Sequence, residues 1–148
     1  ILEKEIDLYP DDLLTIAAEQ TQNGNCTYGE HDGETPRWYA IYTRSRHEKQ
    51  LMRKLCALEV PFYGPVVERH YRSTSGRIRT SYETLFSNYV FVFGNERDRY
   101  RTMTTNCVSR ICPVVDGDRL TGDLWNINRL ISTGAPNVTP PSVDFLST

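Results

Sequence analysis

The stretch LFSNYVFVF, Leu85 to Phe93, limits what this chain can fold into more than any other segment. Read at the two-residue period of a strand, Tyr89, Phe91 and Phe93 project to one side and Val90 and Val92 to the other. Both sides are apolar. Such a strand belongs in the middle of a sheet covered on both faces, or else one face waits for a partner. Val90 and Val92 are expected in the core in either case.

The elements around that strand follow from periodicity and turn chemistry. WYAIYT (38–43) is aromatic and β-branched, and reads as a strand. RSRHEKQLMRKLCALEV then carries Leu51, Met52, Leu55, Cys56 and Leu58 as an amphipathic stripe until Val60-Pro61 stops the helix. FYGPVVERHYR and RIRTSYETLF are strand-like arms around Ser73-Thr74-Ser75-Gly76, which suits a hairpin tip. NERDRYRTMTTN predicts a short helix, and VSRICPVVDGDR a strand ending in the turn Asp116-Gly117-Asp118. TGDLWNINRLIS predicts a last helix with Leu124, Ile127, Leu130 and Ile131 on one side. The order from Trp38 is β, α, β, β, α, β, α. It predicts an α+β, split βαβ-like domain: a mostly antiparallel four-stranded sheet flanked by helices, set on one face.

At 148 residues, 39% hydrophobic and 24% charged, the chain has room for one such domain. Residues 1–36 read as an acidic N-terminal extension, with a short helix over 10–20 and a flexible Asn- and Gly-rich linker over 21–36. The compact domain is expected over 37–134, and 135–148, with Pro136, Pro140 and Pro141, reads as a linker. A start at Ile1 rather than Met suggests a piece of a longer chain. No run of 18 apolar residues and no basic-then-apolar N-terminus occurs, so a cytoplasmic protein is expected. Cys26, Cys56, Cys107 and Cys112 form no CxxC pair and are expected as reduced thiols.

The net charge of −2 is unevenly spread. Residues 1–36 carry a net of −8 and the remainder +6, a balance that fits a polyanionic partner as well as an ordinary solvated surface. Catalysis is not expected: His31, His47 and His70 are far apart, no GxSxG or Walker-type loop occurs, and the Asp116/Asp118 pair is explained by turn chemistry. Cys107 and Cys112, at C-x4-C spacing without a second pair, make a poor zinc site. Neither metal nor cofactor is called for.

Three stretches in this order, WYAIYTRSRHEKQLMRKL, ETLFSNYVFVF and NCVSRICPVV, resemble the N-terminal (NGN) domain of NusG-type transcription elongation factors, including the specialised relative RfaH. That family opens with a Trp-Tyr strand running into a basic helix, continues with an LFPGY or LFPNY box, and then has a Gly-Val strand. The resemblance covers about residues 37–134. Two positions depart from the pattern: Ser87 stands where the box has Pro, and Cys107 where the next strand has Gly. Both departures bear on local turns.

The resemblance implies a non-catalytic elongation, antitermination or termination factor. It would be a monomer that docks on the two clamp helices of the largest catalytic RNA polymerase subunit, with a C-terminal KOW domain beyond these residues. It nominates Phe86, Tyr89 and Phe91 for that docking, with Tyr42 beside them and Ile127 and Leu130 on the last helix; ordinary core packing is the alternative for these aromatics. It implies contact with non-template or upstream DNA by Arg44, Arg46, His47, Lys49, Arg53 and Lys54. Ala57 and Leu58 fall at base-reading positions and have no side-chain donors, so phosphate attraction is expected and sequence readout is not. Arg69, Arg72, Arg77 and Arg79 form a second basic group around the hairpin tip. Glu83 falls where RfaH-like relatives use a Glu in an interdomain ion pair, an exposed surface carboxylate being the other reading. The alternative function is a stand-alone RNA-binding module that stacks bases on the sheet aromatics.

Overall fold

Strand β6 (Tyr89–Gly94) lies in the middle of a five-stranded antiparallel sheet. The computed structural model describes residues 6–23 and 36–132, with side chains from 6–19 and 36–132. In it β6 pairs with β2 (Arg37–Thr43) on one side and with β3 (Phe62–Tyr63) on the other. The sheet is closed at its edges by β7 (Val108–Pro113) next to β2 and by β1 (Leu8–Tyr9) next to β3. Because β2 and β3 are each antiparallel to β6, they run parallel to one another, linked by helix α2 (Glu48–Ala57). β6 and β7 flank β2 in the same way, linked by α3 (Glu96–Met103). Two interleaved split βαβ units result.

The register decides the two faces. Ile41 faces Val90 and Tyr39 faces Val92, so these four share one side of the sheet. There they join Phe62 and Cys107 beneath Leu51, Met52 and Leu55 of α2. The pairs Ala40–Phe91 and Trp38–Phe93 share the other side. That side is roofed by Leu13, Leu14 and Ala17 of α1 (Leu13–Asn23) and by Leu120, Leu124 and Ile127 of α4 (Gly117–Ser132). Helices therefore lie on both faces of the sheet and not on one. The physical reason lies in the central strand itself: two apolar faces each need a cover.

The packed body also takes in chain ahead of Arg37, where composition placed its start. β1 adds a fifth strand through the pairs Leu8–Tyr63 and Tyr9–Phe62. Asp7 secures it twice, its carbonyl accepting from the Gly64 N–H at 2.9 Å and its carboxylate from the Val66 N–H at 3.0 Å. Of the stretch read as a linker over 21–36, residues 21–23 belong to α1 and 24–35 lie outside the described residues, as does the Pro-rich segment 135–148.

The hairpin forms as its tip residues predict. β4 (Val66–Arg72) and β5 (Ile78–Thr84) make a separate two-stranded ribbon, from the pair Val66–Thr84 to the pair Arg72–Ile78. Its tip is closed by the Ser73 N–H donating to the Arg77 carbonyl at 2.8 Å. Gly76 sits there at a φ of +84°, which glycine adopts without penalty. The Asp116-Gly117-Asp118 segment differs from the expected turn because α4 begins within it. The Asp116 carboxylate accepts from the Arg119 N–H at 3.1 Å, so the aspartate caps a helix. No helix of the described residues is long and apolar enough to cross a membrane.

Candidate docking and nucleic-acid surfaces

The LFSNY box is a tight turn leading into β6. The Tyr89 N–H donates to the Phe86 carbonyl at 3.3 Å, and Asn88, third of the four turn residues, has a φ of +67°. This is the pattern of a type II turn, in which Asn is tolerated at the left-handed position and the residue before it favours proline. Ser87 holds that second position and is exposed. The turn is fixed from outside by the Glu48 carboxylate, which accepts from the Asn88 N–H at 2.8 Å. The second departure, Cys107, is equally well accommodated. The left-handed residue there is Asn106, with a φ of +66°, which frees Cys107 to be buried against α2 with its thiol 3.5 Å from the Thr105 carbonyl.

The residues nominated for docking divide by depth. Phe86 and Phe91 form an edge-to-face pair at 5.3 Å inside the cluster roofed by α1 and α4, and Phe91 is 0% exposed. Ile127 is buried in the same cluster. These three present no side chain to a partner as the chain is folded here. Tyr42 and Tyr89, directly opposite one another on β2 and β6, are half-buried, with ring centroids 5.0 Å apart at 84°. The Arg110 guanidinium lies 5.8 Å from the centre of the Tyr42 ring, a cation–π contact at the open edge of the pair. Leu130, one turn beyond Ile127 on α4, is 44% exposed.

The basic residues of 44–54 divide as well. Lys49 donates to the Tyr82 carbonyl at 2.6 Å and Lys54 to the Thr105 carbonyl at 2.7 Å, so both ammonium groups act as struts from α2 to neighbouring segments. His47 is half-buried at the start of α2, its Nδ1 2.9 Å from the Ser45 carbonyl. Arg44, Arg46 and Arg53 are exposed.

On the ribbon, Arg72, Arg77 and Arg79 are exposed. Glu83 is engaged within the same ribbon: the Tyr71 hydroxyl donates to its carboxylate at 2.6 Å, and Arg69 lies 3.8 Å from it. The hydrogen bond to Glu83 raises the Tyr71 pKa. Tyr71 is absent from the candidates that the sequence offers, although an aromatic residue between Arg69 and Arg72 on a predicted strand is the available signal. Among the described residues no group of three or more His, Cys, Asp and Glu side chains is placed to hold a metal ion.

Two split βαβ units around a doubly covered central strand define a small α+β domain. The family model described as "Transcription termination factor nusG" matches residues 36–120, more than half of the chain, and the chain belongs to that family of transcription factors. No match was found among curated proteins.

Proposed function

We propose that this domain binds RNA polymerase through the clamp helices of its largest catalytic subunit and supports processive elongation, keeping basic side chains near the DNA. The observation that carries the reading is the Tyr42–Tyr89 pair. Two aromatic rings in edge-to-face contact stand half-buried at the end of the central strands, and Tyr89 packs against the cluster that holds Phe86 and Phe91. Rigid aromatics on a packed floor are the usual anchors when a helix lays its apolar side on a partner, because they bury large area at little entropic cost. Phe86, Phe91 and Ile127 act as that floor, while Tyr42, Tyr89 and Leu130 make the contact.

In the same reading Arg44, Arg46, Arg53 and the exposed arginines of the ribbon attract phosphates, and Lys49 and Lys54 chiefly brace α2. Glu83 serves the ribbon through Tyr71 and Arg69. Stacking of RNA bases on the sheet fits less well. It requires an open aromatic face, whereas Phe91 and Phe93 lie under α1 and α4 and the opposite face lies under α2. The test is co-migration of the purified protein with core RNA polymerase and with a polymerase lacking the clamp-helix tip. Binding to the first alone is expected, and equal binding to both would defeat the proposal.

A further inference from the structure

The ribbon formed by β4 and β5 has two unlike faces, and the pairing fixes which residues share each. Val67 faces Glu83, Arg69 faces Ser81 and Tyr71 faces Arg79, so Arg69, Tyr71 and Arg79 lie on one side. Arg77, two residues before Arg79, follows on that side at the tip. The opposite side carries Glu68, His70 and Arg72 against Tyr82, Thr80 and Ile78. One face thus carries three arginines around a tyrosine, with Glu83 at its base held by Arg69 and the Tyr71 hydroxyl. The other mixes acid, histidine, arginine and apolar groups.

We propose that the Arg69–Tyr71–Arg77–Arg79 face is a binding site for single-stranded nucleic acid, in which Tyr71 stacks on a base and the arginines neutralise the adjoining phosphates. The proposal rests on and deepens the nucleic-acid half of the reading above, and does not depend on polymerase docking. Four observations support it. Tyr71 is 50% exposed, so about half of its side chain is accessible to a ligand. Its hydroxyl is tied to Glu83 at 2.6 Å, which fixes the ring at its polar end and leaves the faces available. The side chains of Arg77 and Arg79 are exposed and have no hydrogen-bond or ion-pair partner among the described residues. Finally, no acidic residue occurs between Arg69 and Tyr82; Glu83 offsets Arg69 at the base of the ribbon, and the positive charge is concentrated at Arg77 and Arg79 toward the tip.

The geometry selects a single strand over a duplex. Side chains two apart on a strand are separated by about 6.8 Å, so Arg69 and Tyr71 meet groups spaced on the scale of one extended nucleotide. A base inside a duplex is stacked on both sides and offers no face to a phenol ring, whereas an unpaired base does. Duplex binding would use the arginines alone and would be indifferent to Tyr71.

The test is fluorescence anisotropy of the protein with labelled oligo-dT of about 15 nucleotides and with a duplex of the same length, across a salt series. Tighter binding of the single strand is expected. Tyr71→Ala should weaken it by about fivefold or more, and Tyr71→Phe should retain it, because the ring carries the interaction. Joint replacement R77A/R79A should lower the affinity and reduce the slope of log K against log salt by about 1.4. Arg72→Ala, on the opposite face, should lose less than Arg79→Ala. An oligo-rU of equal length assigns the site to RNA or to DNA by the tighter complex. Equal affinity for strand and duplex, a Tyr71→Ala protein that binds like the parent, or no binding of either strand would overturn the proposal. Polymerase co-migration separates the two claims: ribbon variants that lose the oligonucleotide but still co-migrate with polymerase leave docking intact, and a parent protein that binds the oligonucleotide but does not co-migrate with polymerase counts against docking alone.

Discussion

The indole nitrogen of Trp38 on β2 donates to the hydroxyl of Thr121 on α4 at 2.9 Å, in the buried interior. The same hydroxyl donates to the Gly117 carbonyl at 2.9 Å, and the Trp38 ring packs on Phe93 with centroids 5.1 Å apart. One threonine therefore joins the first turn of the last helix to the second strand. Thr121→Val keeps the shape but leaves the indole N–H without an acceptor, a loss of about 1–3 kcal/mol. Thr121→Ser keeps the bond and should recover most of that loss. Urea midpoints at unchanged slope provide the measurement, and a Val variant as stable as the parent would show that the bond contributes nothing.

Helix α1 is part of the core although it precedes the segment matched to the family. Leu13 is 1% exposed beneath the sheet. Its truncation in Leu13→Ala should cost about 2–5 kcal/mol, the range for emptying a packed leucine site. Thr15→Ala, at an exposed position of the same helix, should leave the midpoint nearly unchanged. If Leu13→Ala unfolded at the parental midpoint, α1 would not be a stabilising element.

Ser87 stands at the second position of the Phe86–Tyr89 turn, where the fixed backbone angle of proline suits the type II geometry. Ser87→Pro should therefore stabilise the fold by about 0.4–1 kcal/mol, mainly by restricting the unfolded chain. The readout is a higher thermal midpoint. A lower one would mean that the turn has a different geometry at this residue.

Tyr63 gives the fold an alkaline limit. Its hydroxyl donates to Asn128 at 3.2 Å, and burial, with the Asp7 carboxylate nearby, pushes its pKa well above the ordinary value of 10.0. The unfolded chain then releases this proton at a lower pH than the folded one. The contribution is fully present below about pH 10 and is lost as pH rises beyond it. In Tyr63→Phe, stability should be less pH-dependent between about pH 10 and 11.5 than in the parent. Parallel curves for the two proteins would show that Tyr63 sets no such limit.

Much of this architecture is legible in the chain because it is local. The alternation of Val90 and Val92 against Phe91 and Phe93 needs only the strand period, and the hairpin needs only Ser73 to Gly76. The roof over Phe91 is harder to foresee. Leu13, Leu14 and Ala17 of α1 owe their burial to contact with α4, at the far end of the chain, and the short β1 leaves no pattern. Side chains of long reach are equally opaque. Nothing near Lys49 or Lys54 indicates that their ammonium groups end on the Tyr82 and Thr105 carbonyls. The docking candidates rest on resemblance and on aromatic character, and nothing in the sequence separates floor from rim. Depth is set by the register of β2 on β6 and by what covers each face.

The most direct measurement is the affinity of core RNA polymerase for the double variant Tyr42→Ala with Tyr89→Ala, compared with the parent protein. These rings are half-buried at the rim, so the double variant is a gentler probe than Phe86→Ala or Phe91→Ala, which would empty the core. Near-ultraviolet circular dichroism checks that the fold is retained. A loss of about thirtyfold or more with the fold intact is predicted, as for paired aromatic anchors. A folded double variant that binds polymerase like the parent would contradict docking through this pair.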